Sequence, residues 1–578
     1  MAESPPDAGV LGATGVLARF SSRHPAWLAA LPVGIALLVH GRAVTFPFVA
    51  LDDPVHCTEN ALVVAPLSKG ALELFLTRSI GYPVPVTVLS YALDHALAGF
   101  SSGWFHLVNV LLHALSVGLV VNLARALSLS RWAAVLAGTL FAVHPLVVEP
   151  VAWVTGRKDL LATCFVLAAL TLVTRPPGTA VGRGRWATAV TLGLLGTLSK
   201  TTALVFPLML WIAVRRRIGR EGQRRASIAT AVGLTLSSAV LAVGLWVVRQ
   251  QQAIEAVSAT DRALGVAGAW TVSSQHLIAP VGLYPYYFQW DGDPSRWAMA
   301  VALLAGVALA VAYFRWLSPG SAARVAFAWA ALAYLPVCGI VGHHRWTADS
   351  YLYLSLTGFS IGVSALVERA VASRMALTRR WFGPALAVAL GPMCVAQAEV
   401  WRHPEMIWRA VSARYPQSPV ALSELAATLR WLGRETEAVE TYLLLDERFP
   451  RFEQCVLPRV GARLVAGNAA RALELLRMGM AARDPEAGAF YLRLVLDDPT
   501  LPAAPADLRT AFELSWPALA SVRDPALFLH LGRRLTRAGL EQEAALSDAR
   551  RRALIGEKGY PGPVLPDTTD DPRPAPPR

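Results

Sequence analysis

Long apolar segments recur as far as residue 398 of this chain and constrain its fold more than any other feature. A helix needs roughly 20 apolar residues to cross about 30 Å of hydrocarbon, and fewer where the bilayer thins. Hydrophobic residues make up 54% of the 578 and charged residues only 16%, which excludes an ordinary soluble protein. The sequence predicts an all-α, polytopic membrane bundle of about eleven crossings. The predicted spans lie near 27–46, 104–124, 132–147, 159–174, 186–199, 201–214, 226–248, 297–315, 324–341, 352–368 and 381–398.

Basic residues between the predicted spans indicate how the chain is oriented. Short cytoplasmic connections carry a surplus of Lys and Arg, and the two sets of alternate connections here differ about twofold in that number. The arginine-rich connection 215–225 and the tail 1–24 are therefore predicted inside, and the loop 47–103 outside. The first helix is expected to act as an uncleaved anchor. The segment 263–283 fits this topology as a re-entrant or interfacial segment. The net charge of +13 then reflects orientation rather than a nucleic-acid partner.

After residue 400 the long apolar segments stop and a helical repeat pattern begins. Gly433 and Gly467 are 34 residues apart, which is the tetratricopeptide period. An odd number of crossings places this part on the outer side. The predicted domains are a cytoplasmic tail at 1–24, a transmembrane domain at 25–399, a soluble tetratricopeptide-like α-solenoid at 400–556, and a disordered, Pro-rich tail at 557–578.

The first candidate site is the pair Asp52 and Asp53, in the stretch LDDP directly after the first predicted span. An Asp at the bilayer centre costs about 3 kcal/mol, so both belong at the aqueous rim. There a carboxylate could serve as a base toward a lipid-borne substrate. A turn or helix cap before Pro54 is the structural alternative.

A second group of polar residues interrupts the apolar stretch HPLVVEPVAWVTGRKDLLA. Arginine and lysine in this position suit a phosphate headgroup, because guanidinium forks pair with phosphate oxygens. An interfacial loop anchored by Trp153 is the alternative. The ionisable residues of this stretch are His144, Glu149, Arg157, Lys158 and Asp159.

Two further stretches add charge on the predicted outer side. Lys200 lies between two short apolar segments and is either a snorkelling lysine or a second cation for a lipid phosphate. Arg345 follows His343 and His344, and Tyr351 comes soon after. Adjacent histidines point apart on a helix or strand, so we predict no metal site there. We expect the tandem acids and the outer cations to converge on one site at the outer leaflet.

The order of these motifs resembles a known family. LDDP after the first helix is followed by YALDHALAGFSSGWFHLVNVLLHAL, HPLVVEPVAWVTGRKDLLA, GTLSKTTALVFPL, SYLYLSLTG and then the repeats. This order is similar to that of the transmembrane and tetratricopeptide repeat-containing O-mannosyltransferases and their bacterial relatives, in the C-type glycosyltransferase superfamily. The resemblance extends over nearly the whole chain.

The resemblance implies a membrane glycosyltransferase that moves a sugar, usually mannose, from a polyprenyl-phosphate donor to a hydroxyl, with inversion. It implies Asp52 as the first choice for catalytic base, with Asp53 second, and it implies outer cations as donor phosphate ligands. Expected phosphate ligands are Arg157, Lys158, Lys200 and Arg345, and expected further substrate contacts are His144, Glu149, His343, His344 and Tyr351.

The expected partners are the lipid-linked donor, membrane lipids and a protein or peptide acceptor held by the repeats. No cofactor is predicted with certainty, and a divalent cation is left open. The expected location is a bacterial inner membrane, with the repeats periplasmic or extracytoplasmic. The alternative function is a non-catalytic, membrane-anchored repeat scaffold for protein assembly. A transporter would require charges near helix midpoints and two matched halves, and neither pattern is evident.

Overall fold

A computed structural model describes the chain in two compact units, which divide between Ser418 and Pro419. This division lies later in the chain than the predicted domain boundary at residue 400. The described residues are 28–49, 51–65, 83–174, 181–214, 220–249, 259–287, 304, 306, 311–318, 320–339, 345–371, 381–452, 455–497, 501–519, 522 and 525–556.

Every described secondary-structure element is helical, which confirms the predicted all-α class. The helices of the first unit are α1 Ala30–His40, α2 Ala61–Val64, α3 Pro85–Ala98, α4 Ser102–Ala126, α5 Arg131–Val143, α6 Val148–Ala152, α7 Arg157–Val173, α8 Arg183–Ser199, α9 Phe206–Val214, α10 Arg220–Arg249, α11 Ala259–Ile278, α12 Ala322–Tyr334, α13 Tyr353–Ala370, α14 Phe382–Val400 and α15 Pro404–Arg414. Short 3-10 turns occur at Gly41–Thr45, Pro145–Val147, Val154–Gly156, Thr201–Val205, Leu335–Val337 and Asp349–Leu352, with a π-turn at Pro54–Thr58.

Several of these helices are long and apolar enough to cross a membrane. By length and composition there are four among the described residues, or five if the bent pair that begins with α5 is one span. The four are Ser102–Ala126, Gln223–Ala242, Asp349–Ala370 and Phe382–Val400. Shorter apolar helices at Ala30–Thr45, Thr201–Val214 and Ala322–Val337 coincide with further predicted spans. The predicted span 297–315 lies largely outside the described residues, and the number of crossings stays a prediction.

Helix α5 ends at Val143 although the apolar residues continue, and the reason is the His144–Pro145 pair. Pro145 has no N–H to donate, and it disfavours helical backbone at the residue before it. His144 adopts φ −74° and ψ 126°, and its Nδ1 accepts a hydrogen bond from the Leu146 N–H at 3.4 Å. The helices on either side of this break meet at 54°. The predicted span 132–147 is therefore bent near its C-terminal end.

After this bend the chain makes a tight turn before α7 begins. A Cβ atom added at Gly156 would lie 2.5 Å from the carbonyl oxygen of Pro150, so the two backbone segments approach more closely than any other residue type would allow. The turn packs against α4, which also contacts α1, α5 and α7. Helix α3, inside the predicted outer loop 47–103, was not predicted as a separate helix.

The second unit consists of helices that pack in consecutive pairs, as expected for a tetratricopeptide-like solenoid. Gly433 and Gly467 have φ of +73° and +72°, so each occupies the left-handed position that ends a helix and that favours glycine. The paired helices are α16 Pro419–Trp431 with α17 Glu435–Arg448, α18 Val456–Val465 with α19 Ala469–Ala481, α20 Pro485–Asp497 with α21 Pro505–Leu519, and α22 Pro525–Arg537 with α23 Glu541–Gly556. The predicted tail 557–578 lies outside the described residues.

Candidate active site

The tandem acids follow α1 in a turn, and their side chains have different environments. Asp53 is fully buried. Its Oδ2 accepts a hydrogen bond from the Val49 N–H at 2.9 Å, and its Oδ1 accepts bonds from the Thr155 N–H at 3.1 Å and the Thr155 hydroxyl at 2.6 Å. The side chain of Asp52 is 38% exposed. Asp53 therefore joins the segment after α1 to the turn before α7, while Asp52 is accessible from outside the protein.

Burial also changes the protonation behaviour of this turn. It raises the pKa of Asp53 to about 6, against the hydrogen bonds from Thr155 and Val49. Burial, with a smaller contribution from Lys158, lowers the pKa of His56 to about 2. His56 Nε2 lies 3.9 Å from Asp52 Oδ2. Because this imidazole is neutral at physiological pH, the contact is not an ion pair and leaves the carboxylate of Asp52 without a compensating charge from His56.

Arg157 lies at the start of α7, and each nitrogen of its guanidinium group donates to a protein acceptor. The group forms a buried ion pair with Asp94. It also donates to Asn109 Oδ1 at 2.8 Å and to the Phe105 carbonyl at 2.7 Å, and it lies 4.8 Å from the centre of the Tyr91 ring. This network fastens α3 and α4 to α7. The predicted phosphate role of Arg157 stays a prediction, and it would require this network to open.

Lys200 is likewise neutralised by a buried carboxylate. Its Nζ lies 2.6 Å from Asp159 Oδ1, and both side chains are 3% exposed. The backbone of Lys200 is extended, with φ −157° and ψ 141°, where α8 gives way to a 3-10 turn. The ammonium group also lies 5.3 Å from the centre of the Tyr351 ring. Lys200 therefore contributes charge to the site with one partner already in place.

Lys158 differs from these two cations because no carboxylate described in the structure lies within ion-pair distance of it. The residue is 6% exposed, and its Nζ lies 4.8 Å from the centre of the Trp153 ring. Within electrostatic range of Lys158 are Asp52, Lys200, Asp159 and Arg345. A nearly buried ammonium group without an ion-pair partner is energetically costly, so this position favours the binding of an anion.

Arg345 has one acidic partner and one unsatisfied donor. Its NH1 lies 3.5 Å from Glu149 Oε1, and its NH2 donates to the Pro285 carbonyl. Its guanidinium group lies 5.2 Å from the centre of the Tyr286 ring. Its Nε is buried and has no hydrogen-bond acceptor among the described atoms. Arg345 also lies within electrostatic range of Asp52, so it can offer a donor to an anion there.

Glu149 is occupied by the segment that precedes α13. Its two oxygens accept hydrogen bonds from the Asp349 N–H at 3.1 Å and from the Ser350 hydroxyl at 3.0 Å. The Asp349 carboxylate in turn accepts a bond from the Tyr287 hydroxyl at 2.7 Å. Glu149 therefore orients Arg345 and its neighbours, and a direct substrate contact from it stays a prediction.

The structure thus brings Asp52 into the same neighbourhood as Lys158, Lys200 and Arg345. His144 is buried apart from this group, with its Nε2 3.2 Å from the Leu277 carbonyl oxygen. His343 and His344 lie outside the described residues. Three residues at the site were not anticipated as site residues: Asp94, Asn109 and Thr155. Of these, Asp94 carried a signal in the sequence, because an acid inside an otherwise apolar helix usually has a specific partner.

Acidic and imidazole side chains such as Asp52 and His56 are potential metal ligands. Among the described residues, no group of three or more His, Cys, Asp and Glu side chains is arranged to hold a metal ion.

Known proteins are similar in sequence to a part of this chain. Tmtc2 of Drosophila melanogaster, a protein O-mannosyl-transferase, is 38% identical over 158 residues, which is 26% of this chain and 17% of that protein. Human TMTC2, also a protein O-mannosyl-transferase, is 41% identical over 86 residues, 15% of this chain and 10% of that protein. A part of the chain is thus similar to the TMTC O-mannosyl-transferases. The resemblance predicted from the motifs is confirmed for this aligned part, about a quarter of the chain.

The chain spans less than a fifth of the length of each of these two known proteins. No protein-family model matches the chain. Distant structural likenesses include an oligosaccharyltransferase of Archaeoglobus fulgidus, with a TM-score of 0.39 and 13% identity over 66% of this chain and 56% of that one. ArnT of Cupriavidus metallidurans, bound to undecaprenyl phosphate, has a TM-score of 0.36 and 15% identity over 83% of this chain and 81% of its own. Likenesses this weak identify neither a substrate nor a catalytic residue.

Proposed function

We propose that this chain is an integral-membrane glycosyltransferase that moves a sugar from a polyprenyl-phosphate donor to a hydroxyl group of an acceptor. The observation that carries the proposal is the partly exposed Asp52 carboxylate within electrostatic range of Lys158, a buried cation that forms no ion pair with a described side chain. The names of the TMTC relatives support mannose as the sugar and a protein as the acceptor. The charge distribution along the chain supports a site on the outer face of the membrane, with the repeats also outside. The small number of repeats favours a bacterial inner membrane.

The donor phosphate binds between Lys158 and Arg345 in this proposal. Lys158 gains the anion that it lacks in the described structure, and Arg345 gains an acceptor for its buried Nε. Charge-assisted hydrogen bonds of this kind are about twice as strong as neutral ones. Lys200, already paired with Asp159, adds a favourable field without needing a direct contact. Two cations with open donors suit a lipid monophosphate.

The reaction is a single displacement. Asp52 takes the proton of the acceptor hydroxyl as its oxygen forms a bond to the anomeric carbon. The bond between that carbon and the phosphate oxygen breaks, and its electron pair stays on the phosphate. Lys158 and Arg345 stabilise the charge that develops on the leaving group. Attack opposite to the leaving group inverts the anomeric centre, and no covalent enzyme intermediate forms.

Asp53 supports this step without contacting the substrate. Its three hydrogen bonds to Val49 and Thr155 fix the turn on which Asp52 sits. They also join that turn to the segment that bears Lys158. The base and the phosphate ligand are therefore held in one rigid frame, which favours the productive geometry.

Transfer can be tested with the full chain in liposomes. Labelled polyprenyl-phosphate mannose is supplied with Ser/Thr-containing acceptor peptides, and peptide-linked label is measured. We expect transfer by the wild type and transfer slower by about a hundredfold or more by Asp52→Asn, while Asp548→Asn, at an exposed residue of the repeat unit, behaves as wild type. No transfer by the wild type from any polyprenyl-phosphate sugar would contradict the proposal and would favour the alternative of a membrane-anchored scaffold. Retention of full activity by Asp52→Asn would remove Asp52 from the mechanism.

A further inference from the structure

The chain that follows the last membrane-spanning helix packs against the candidate site rather than forming the first part of the repeats. This segment, here called the aromatic strap, comprises residues 401–415 and includes α15. It belongs to the first compact unit. Trp401 is fully buried and Trp408 is 2% exposed. Large aromatic side chains buried this completely at the end of a membrane domain indicate a specific packing role.

Trp401 packs against the Trp153 ring, which is also the ring nearest to the Lys158 ammonium group. The Trp401 and Trp153 rings are stacked, with centroids 5.7 Å apart and an interplanar angle of 26°. The Nζ of Lys158 lies 4.8 Å from the centre of the Trp153 ring. A cation is attracted to the face of an aromatic ring, so the orientation of the Trp153 ring helps to determine where the ammonium group sits. Trp401 fixes that orientation.

Trp408 has the same relation to Arg345. Its ring lies 5.9 Å from that of Tyr286, and the Arg345 guanidinium group lies 5.2 Å from the Tyr286 ring centre. The strap holds the Tyr286 loop at other points too. Gln397, just before the strap, donates to the Leu283 carbonyl at 3.2 Å. Arg414 of the strap lies 6.0 Å from the centre of the Tyr284 ring.

We propose that Trp401 and Trp408 are positioning residues for the donor phosphate. Trp401 packs against the Trp153 ring, which lies near Lys158. Trp408 packs against the Tyr286 ring, which lies near Arg345. Lys158 and Arg345 are the proposed ligands of the phosphate. Neither tryptophan touches the donor, so both act through Lys158 and Arg345. The inference rests on the part of the proposed function that assigns a polyprenyl phosphate to these two cations. Residues behind a binding site often decide how well its contacting groups are aligned.

The inference is tested by the binding of sugar-free polyprenyl phosphate to the full chain in nanodiscs. Trp401→Leu and Trp408→Leu keep apolar volume but remove the ring. We expect each to raise the Kd about threefold to tenfold. Trp401→Phe and Trp408→Phe restore a ring and should recover most of the affinity. Trp431→Leu, at a half-exposed tryptophan of the repeat unit, is the matched control and should bind as wild type.

A double-mutant cycle separates positioning from general packing. In a Lys158→Met background the Trp401 ring no longer has a cation to position, so Trp401→Leu should cause no further loss of binding. A full additional loss in that background would overturn the inference, and so would unchanged binding by both single variants. If Trp401→Leu does not fold, Trp153→Leu tests the same stack from its other member.

Failure of this inference is distinguishable from failure of the proposed function. If the wild type transfers sugar and the tryptophan variants bind the phosphate as tightly as the wild type, only the inference is contradicted. Tight, tryptophan-dependent phosphate binding without any sugar transfer supports the inference and contradicts the proposed function. A wild type that binds no polyprenyl phosphate contradicts both.

Discussion

Each unit of the molecule contains a buried charged cluster, and the two clusters are built differently. In the repeat unit the Asp446 carboxylate is 1% exposed and accepts from Arg459 at 2.6 Å, Arg463 at 2.7 Å and Arg471 at 2.9 Å. In the membrane unit Lys158 is buried with no acidic partner among the described side chains, and Arg345 keeps a buried donor without an acceptor. We call the first cluster, around Asp446, closed because its charges are paired within the chain. We call the second, with Lys158 and Arg345, open because its cations keep donors available for an anion.

The difference separates a structural use of charge from a functional one. Burial would raise the pKa of Asp446, but hydrogen bonds from Arg471, Arg459 and Arg463 lower it to about 2. Such a carboxylate stays ionised and fastens helices together. An open cluster contributes less to folding, because the cost of burying its charge is not offset within the chain. The following predictions test this contrast.

The largest expected effect is on catalysis at the open cluster. Asp52→Asn should lower the transfer rate by about two to four powers of ten, because the acceptor hydroxyl loses its general base. Polyprenyl-phosphate binding should persist, since Lys158 and Arg345 are unchanged. Rates under donor saturation and separately measured phosphate binding provide the test. Equal losses of rate and binding would instead indicate a role for Asp52 in holding the site together.

A substitution in the closed cluster should lower the stability of the repeat unit. Asp446→Ala leaves three arginines without their common acceptor and should destabilise the repeat unit by about 3–5 kcal/mol. Hydrogen exchange of residues 419–556 in the full chain measures this, with Asp548→Ala as the exposed control. Because the folded pKa of Asp446 lies below that of a free Asp, its contribution is present above about pH 4 and is lost as the pH falls toward 2. Unchanged hydrogen exchange in Asp446→Ala would show that the cluster does not stabilise the packing of the repeat helices.

Lys158→Met should show the opposite pattern to Asp446→Ala. Loss of a phosphate ligand should lower kcat/KM about a hundredfold, in line with the removal of one transition-state hydrogen-bond donor. The thermal stability of the membrane unit should be unchanged or higher, because an unpaired buried charge is replaced by an apolar side chain of similar size. Activity assays and thermal unfolding in the same detergent check both parts. A destabilised variant with normal activity would mean that Lys158 has a structural partner.

The smallest expected effect is a pH dependence from Asp53. With its pKa at about 6, the ionised fraction falls about tenfold between pH 7 and pH 5, and transfer should fall with it because ionised Asp53 accepts both Thr155 donors. Asp53→Asn should flatten this limb of the pH profile. The stability effect has the opposite sign: the raised pKa contributes stability below about pH 4, and this is lost as the pH rises through 6. An unchanged profile in Asp53→Asn would rule out this assignment.

The sequence predicted most of the candidate site from residue type and position alone. Asp52, Lys158, Lys200 and Arg345 were each recognisable as charge next to an apolar segment on the predicted outer side, and the structure places them together. The helical class and the repeat period were also predictable, since both leave regular patterns along the chain. The break after Val143 had a local signal in Pro145. The length of the apolar segment 132–147 does not by itself indicate this break.

The sequence did not predict which of the basic residues form ion pairs with acidic residues. Arg157 pairs with Asp94, 63 residues away, and Lys200 pairs with Asp159, 41 residues away. Neighbouring Arg157 and Lys158 look equivalent in the sequence, yet α7 directs one toward α3 and α4 and the other toward Trp153. The part played by Trp401 and Trp408 was hidden for the same reason, because the sequence placed both residues in the repeat domain.

The sequence by itself determined that this chain is helical, is embedded in a membrane and carries repeats of tetratricopeptide length. It also showed that basic residues are more numerous in one set of alternate connections between the apolar segments. Hydropathy and periodicity are sums over neighbouring residues, so they can be evaluated without knowing the fold. Only the tertiary structure decided that Arg157 and Lys200 are neutralised while Lys158 is not. Neutralisation depends on the distance through space between charges far apart in the chain, and the Coulomb energy that governs it falls as that distance grows.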